Sequence, residues 1–119
     1  ERLLELERDC VRLIKKHKPD LVAIEKLYFV RNVKTGIEVA QSRGILTLII
    51  IKHKIPLLEY APLEVKQMIT GYGLAKKEAV QKSVMQILKI KKFVGGDDAA
   101  DALAIAITAA HQPLAFRKI

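Results

Sequence analysis

The stretch Asp98-Ala99-Ala100-Asp101-Ala102-Leu103-Ala104-Ile105-Ala106-Ile107 constrains the fold more than any other part of this chain. It sets two carboxylates three residues apart at the entrance of an Ala-rich apolar segment, and at i, i+3 both project from one helical face. Gly95-Gly96 just before them reads as a flexible turn that lets a helix start there. The rest of the helix, through Ala102, Ile105, Ala106 and Ala109, is small and apolar enough to pack closely on a sheet.

A third carboxylate stands at the end of a predicted strand. Leu21-Val22-Ala23-Ile24-Glu25 is a short apolar run entered through Pro19-Asp20, and it ends on an acid, as parallel strands do when they carry a site residue. Taken singly, an Asp in a first helical turn is favoured by the helix macrodipole alone. Glu25 alone would be a solvated strand end. Jointly, oxygen ligands from separate elements suit a hard cation, magnesium or manganese.

Between these landmarks helical and strand patterns alternate. Leu3, Leu6, Cys10, Val11, Leu13 and Ile14 recur at helical spacing up to about His17, and a strand follows over Leu21–Tyr28. A longer helix is predicted from about Lys34 to His53. Ile37, Ala40, Gly44, Leu48 and Ile51 mark one of its apolar faces and Val39, Leu46 and Ile50 another, so it should be buried on two sides, one against the sheet and one against a second subunit. The β-branched residues of Ile45–Ile51 would also suit a strand. Ile55–Tyr60 reads as the next strand. A short helix from Leu63 to about Ile69 has Pro62 near its first turn and ends at Gly71-Tyr72-Gly73. A helix from about Lys76 to Ile90 should turn Ala79, Val80, Val84, Ile87 and Leu88 inward, and Lys89–Lys92 form a basic turn before the acidic helix.

With 119 residues, 50% hydrophobic and 29% charged, the chain is long enough for one core and too apolar to be disordered, so 1–119 is expected to be a single domain. Cys10 is the sole cysteine, which precludes an internal disulfide and fits a reducing cytoplasm; it should be a small apolar residue on the buried face of the first helix. The longest apolar run, Ile45–Ile51, is far shorter than the ~18–20 residues a membrane span needs. His17, His53 and His111 sit at helix ends without partner spacing, which argues against zinc. A formal net charge of +8 places the acidic cluster in a basic molecule, the combination that suits a nuclease: the basic surface draws in phosphates while the acids hold metal.

The residues Pro19–Phe29, Gln41-Ser42-Arg43-Gly44, Val65-Lys66-Gln67 with Gly71-Tyr72-Gly73 and Lys77, and Asp98–Ile107 occur in an order that resembles the RuvC family of Holliday junction resolvases across nearly the whole chain. The resemblance implies an α/β, ribonuclease-H-like fold with a mixed central sheet flanked by helices. It further implies a homodimer that makes two symmetrical cuts in a four-way DNA junction with divalent metal. The family's first strand carries a Gly-Ile-Asp-Pro-Gly-like motif with a further metal-site Asp, which nothing here matches. The first three strands are therefore expected to be missing, and this stretch alone is expected to be inactive.

By the same resemblance Glu25, Asp98 and Asp101 are metal ligands, holding Mg2+ or Mn2+, two ions per site about 4 Å apart in an in-line phosphodiester displacement. Lys66 and Lys77 fall at catalytic positions near the scissile phosphate, where an ammonium steadies developing charge. Their bland reading is exposed helix lysines. Tyr28 and Phe29 could stack on unpaired bases at the junction centre, or simply pack. Arg31, Lys34, Arg43 and Lys76 are expected on the DNA backbone, with Lys66 and Lys77, while Asp97 matches no motif acid and reads as a solvated helix-start residue. Branch-migration helicase proteins are the implied further partners, and no membrane is. Two function classes follow: a junction-resolving endonuclease of recombination and repair, or a non-cutting dimeric module of the ribonuclease-H-like superfamily that holds branched DNA.

Overall fold

The computed structural model describes residues 1–26 and 33–112, with only the backbone of Val33 and Lys34. These residues form five helices and two strands in the order α1 (Arg2–His17), β1 (Val22–Glu25), α2 (Val33–Lys52), β2 (Leu57–Tyr60), α3 (Pro62–Thr70), α4 (Lys77–Leu88) and α5 (Gly96–Ala110). The chain divides into two compact units. One is built around α1 and α2, the other around Ala23–Lys26 and the described residues from Glu59, with α3, α4 and α5.

In the first unit, the Glu1 carboxylate caps α1 by accepting the Leu3 N–H at 3.1 Å. Lys18, in the left-handed region at φ 47°, closes the helix by donating its N–H to the Ile14 carbonyl at 2.8 Å. Lys15, Lys16 and His17 complement the negative end of the dipole. Leu3, Leu6, Cys10, Val11 and Ile14 form a half-buried stripe; no α1 residue is fully buried, so Cys10 is less enclosed than its sequence context suggests. Leu13, expected within that stripe, lies at its margin and is 50% exposed. α1 packs on α2. The Arg2 fork registers the two helices by donating to Ser42 Oγ at 2.9 Å and Gln41 Oε1 at 3.1 Å.

The Ile45–Ile51 segment is helical throughout. Thr47 donates its hydroxyl proton to the Arg43 carbonyl at 2.7 Å, the bond a Thr makes to the preceding turn of a helix. Of the two apolar faces expected on α2, the chain covers one. Ile49 and Ile50 are buried and Val39 and Leu46 half-buried, while Ile37, Leu48 and Ile51 are 55%, 50% and 62% exposed. Ile50 therefore belongs to the chain's own core, and the exposed face is the one marked by Ile37, Leu48 and Ile51.

β1 and β2 pair in a two-stranded sheet. The Val22 N–H reaches the Pro56 carbonyl at 3.0 Å and the Lys26 N–H the Tyr60 carbonyl at 2.8 Å. Partner numbers that rise together mark a parallel register.

In the second unit, Pro62 opens α3 where its missing N–H costs nothing. Glu64 reaches back to accept the Ala61 N–H at 2.8 Å, and Gly71, at φ 83°, ends the helix in a conformation that disfavours a side chain. Gly95 and Gly96 have φ of 101° and 74°, so the turn before α5 needs both glycines. The buried residues of α5 are Ala100, Ala104, Ile107, Thr108 and Ala109. Ala109 was expected there, but Ala102 and Ala106 are exposed and Ile105 is half-buried. The inward stripe is thus 100-104-107-108, and its principal partners are α3 and α4 rather than a sheet. Thr108 tolerates burial because its hydroxyl donates to the Ala104 carbonyl at 2.9 Å. α4 buries Val84 completely and Val80 partly. Ala79 points away from that stripe, and Ile87 and Leu88, expected inside, fall in the final turn and stay 46% and 38% exposed.

Candidate active site

The second unit contains an open cleft of about 280 Å³. Its floor is apolar, with Val65 from α3, Val80 from α4, and Ala100 and Ala104 from α5; the polar side chains around it are Glu25, Lys66, Lys77, Gln81 and Asp101. Each polar group arrives by a separate local rule. Glu25 is the last residue of β1 and its exposed one, after three half-buried residues. Lys66 follows the buried Val65 on α3 and is half-buried. Lys77 is the first residue of α4, and Gln81 lies one turn further on the same face. Asp101 is in the second turn of α5, beside the buried Ala100.

A cleft lined by two carboxylates and two ammonium groups can hold a cation and a phosphate side by side. Glu25 and Asp101 supply hard oxygen donors from different elements, the donor chemistry that fits magnesium or manganese. Asp98 occupies the first turn of α5 and is exposed, outside the lining of the cleft. Among the described residues no three His, Cys, Asp or Glu side chains converge as a metal-binding group. The structure therefore brings two of the three expected ligands to one cleft and leaves the third outside its lining.

Lys77 is the electrostatic centre of the arrangement. Its Nζ donates to Asp97 Oδ2 at 2.6 Å, and Gln81 Nε2 donates to Asp97 Oδ1 at 3.1 Å. The hydrogen bond to Asp97 raises the Lys77 pKa above its ordinary value; partial desolvation works against this, and the charges of Asp97, Asp101 and Asp98 reinforce it. The same bond, then the one from Gln81 and the charge of Lys77, hold the Asp97 carboxyl below the usual carboxylate range. Sequence reasoning treated Asp97 as solvated and passed over Gln81. Asp97 is indeed exposed, but both its oxygens are engaged. The only available signal was the Lys77/Gln81 spacing of one helical turn.

The remaining expected residues are spread over the chain. Lys76 is the exposed N-cap of α4 and does not line the cleft. Arg43 is half-buried in the middle of α2, in the first unit. Lys34 lies in the first turn of α2, its side chain outside the described residues, and Tyr28, Phe29 and Arg31 lie outside them altogether. His53 and His111 each hydrogen-bond through Nδ1 to the carbonyl four residues back, Ile49 at 2.8 Å and Ile107 at 2.9 Å. Among the described residues no helix is long and apolar enough to cross a membrane.

Comparison with solved structures defines the fold class as α/β of the ribonuclease-H-like kind. The chain superposes on the Thermus thermophilus RuvC structure with a TM-score of 0.83 at 31% identity, covering 92% of this chain and 66% of that one. The match to T. thermophilus RuvC in complex with Holliday junction substrate has a TM-score of 0.85 at the same identity and coverage. The family model for crossover junction endodeoxyribonuclease RuvC matches residues 1–109. The crossover junction endodeoxyribonucleases RuvC of Petrotoga mobilis and Syntrophomonas wolfei are each 46% identical, over 106 and 110 residues, or 89% and 92% of this chain. This chain belongs to the RuvC family. It spans 65% and 64% of the length of those two relatives.

Proposed function

We propose that this chain supplies the nuclease domain of a structure-selective endonuclease that resolves four-way DNA junctions in recombination and repair, using divalent magnesium or manganese. The observation that carries the proposal is the cleft in which Glu25, at a strand end, and Asp101, on a helix, meet Lys66 and Lys77. Membership of the RuvC family and likeness to a RuvC bound to Holliday junction substrate support the choice of substrate.

In this reading Glu25 and Asp101 hold the metal from the cleft, and Asp98, in the first turn of α5, is the third ligand. When bound, a pair of such ions would activate the attacking water and offset charge on the leaving oxygen. Lys66 and Lys77 orient the scissile phosphate and steady its developing charge through their N–H donors. The net charge of +8 attracts the junction, with Arg31, Lys34, Arg43 and Lys76 on its backbone and Tyr28 and Phe29 stacking against unpaired bases. A second copy packs on the exposed Ile37, Leu48 and Ile51 face of α2, and a two-fold dimer makes two symmetrical cuts. The setting is the cytoplasm, with branch-migration helicase proteins delivering the junction.

The test is Asp101→Asn in the full-length protein, read by single-turnover cleavage and by gel-shift binding of a four-way junction. Asn keeps the shape but loses the charge that holds a divalent ion, so cutting should disappear while binding stays near the parental level. Cutting at the parental rate would remove Asp101 from the site. A parent that binds junctions in magnesium and in manganese without cutting them would make the chain a branched-DNA-holding module instead.

A further inference from the structure

Asp97 lies one residue before the carboxylates assigned to metal, yet its own oxygens face a different task. Oδ2 accepts from Lys77 Nζ at 2.6 Å, and Oδ1 accepts from Gln81 Nε2 at 3.1 Å. Lys77 and Gln81 both line the cleft, whereas Asp97 does not. The carboxylate therefore reaches from the first turn of α5 to the first two turns of α4 and holds two cleft-lining side chains. A lysine side chain has four rotatable bonds, and an exposed one samples many rotamers; a bond of this length to a doubly held acceptor restricts that freedom. The ammonium has three N–H donors and spends one on Asp97. Two remain.

We propose that Asp97 is a positioning residue that holds the Lys77 ammonium toward the cleft, with Gln81 fixing the carboxylate that does the holding. The inference rests on the reading of the cleft as a nuclease site, in which Lys77 contacts the phosphate and Asp97 does not. Asp97 is itself a negative charge close to where a phosphate would lie, so it opposes DNA binding while it favours the productive geometry. That opposition separates positioning from mere structural support.

The experiment uses the full-length protein and a four-way junction, with single-turnover cleavage rate and junction affinity measured separately for Asp97→Ala, Asp97→Asn, Lys77→Ala and the double variant Asp97→Ala/Lys77→Ala. Losing an exposed charged contact should slow cutting by about two- to fivefold in Asp97→Ala, and loss of the ammonium itself by on the order of a hundredfold in Lys77→Ala. Asp97→Asn, which retains an acceptor oxygen, should fall between parent and Asp97→Ala. Affinity should rise or stay constant in Asp97→Ala, because a charge that repels phosphate has gone. In the Lys77→Ala background Asp97→Ala should have no further effect on rate, since the residue it positions is absent.

A parental rate in Asp97→Ala overturns the proposal. So does an equal loss from Asp97→Ala in both backgrounds, or a parallel loss of rate and affinity, since either would mark a structural role at the start of α5. Failure of the underlying reading looks different: the parent itself would not cut, or Lys77→Ala would cut at the parental rate.

Discussion

Val84→Ala in the full-length protein tests whether α4 is held by its packing. Val84 is the one large side chain among the described residues with essentially no exposed surface. It sits one turn after Val80, which lines the floor of the cleft, and two turns after Lys77. Truncation removes two carbon groups, worth about 0.8 kcal/mol each as buried apolar matter, or roughly 1.6 kcal/mol. The cavity left behind raises the loss toward about 3 kcal/mol if α3 and α5 cannot close in. Alanine recovers roughly 0.6 kcal/mol because it is the better helix former. The net destabilisation is then about 1–2.5 kcal/mol. With a urea m-value of about 1–3 kcal/mol per molar, equilibrium unfolding should move its midpoint down by roughly 0.3–2.5 M at unchanged m. A midpoint that stays within experimental scatter of the parent would refute the claim that α4 is anchored there. A changed m would show instead that the variant had altered the denatured state or broken the two-state transition.

Two other changes address the first unit. Ile50→Arg places a charge where the side chain is 3% exposed, which should cost enough to unfold the unit, whereas Ile51→Arg, at a residue 62% exposed, should leave folding within about 0.5 kcal/mol of the parent. If the exposed face of α2 meets a second copy, sedimentation will show Ile51→Arg as a folded species of half the parental mass; a species of parental mass would place the dimer contact elsewhere. Partial burial pushes the Cys10 thiol above its ordinary value, so alkylation of the folded protein should reach half its maximal rate at a higher pH than alkylation of the urea-unfolded chain. The folded-state pKa is the raised one, so the linked stability is full below the ordinary thiol range and declines as pH rises through the shifted value. Coincident profiles would mean that α1 does not enclose the thiol.

Local rules written in the chain determined much of this molecule. Pro62 and Gly71 bound α3, the paired glycines before Asp97 start α5, and the apolar run ending in Glu25 makes a strand with its acid at the exposed end. Each depends on backbone freedom or on periodicity within a few residues, which a sequence displays directly. Candidate chemistry was legible for a related reason. Motif residues name the donors a metal and a phosphate require, and Glu25, Asp101, Lys66 and Lys77 do share a cleft.

Tertiary structure decided which apolar faces are covered and where the charges go. Ile50 and Ile51 are adjacent and equally apolar, yet one is 3% exposed and the other 62%, because packing supplies neighbours to one side of α2 only. The Ala residues of α5 are chemically alike, so no local rule could select Ala100 and Ala104 for burial over Ala102 and Ala106. Asp97 looked like an ordinary helix-start acid until the first turns of α4 brought Lys77 and Gln81 to its two oxygens. Hydrogen bonds between residues twenty positions apart depend on how helices pack, and helix packing is a property of the whole fold, not of any one segment.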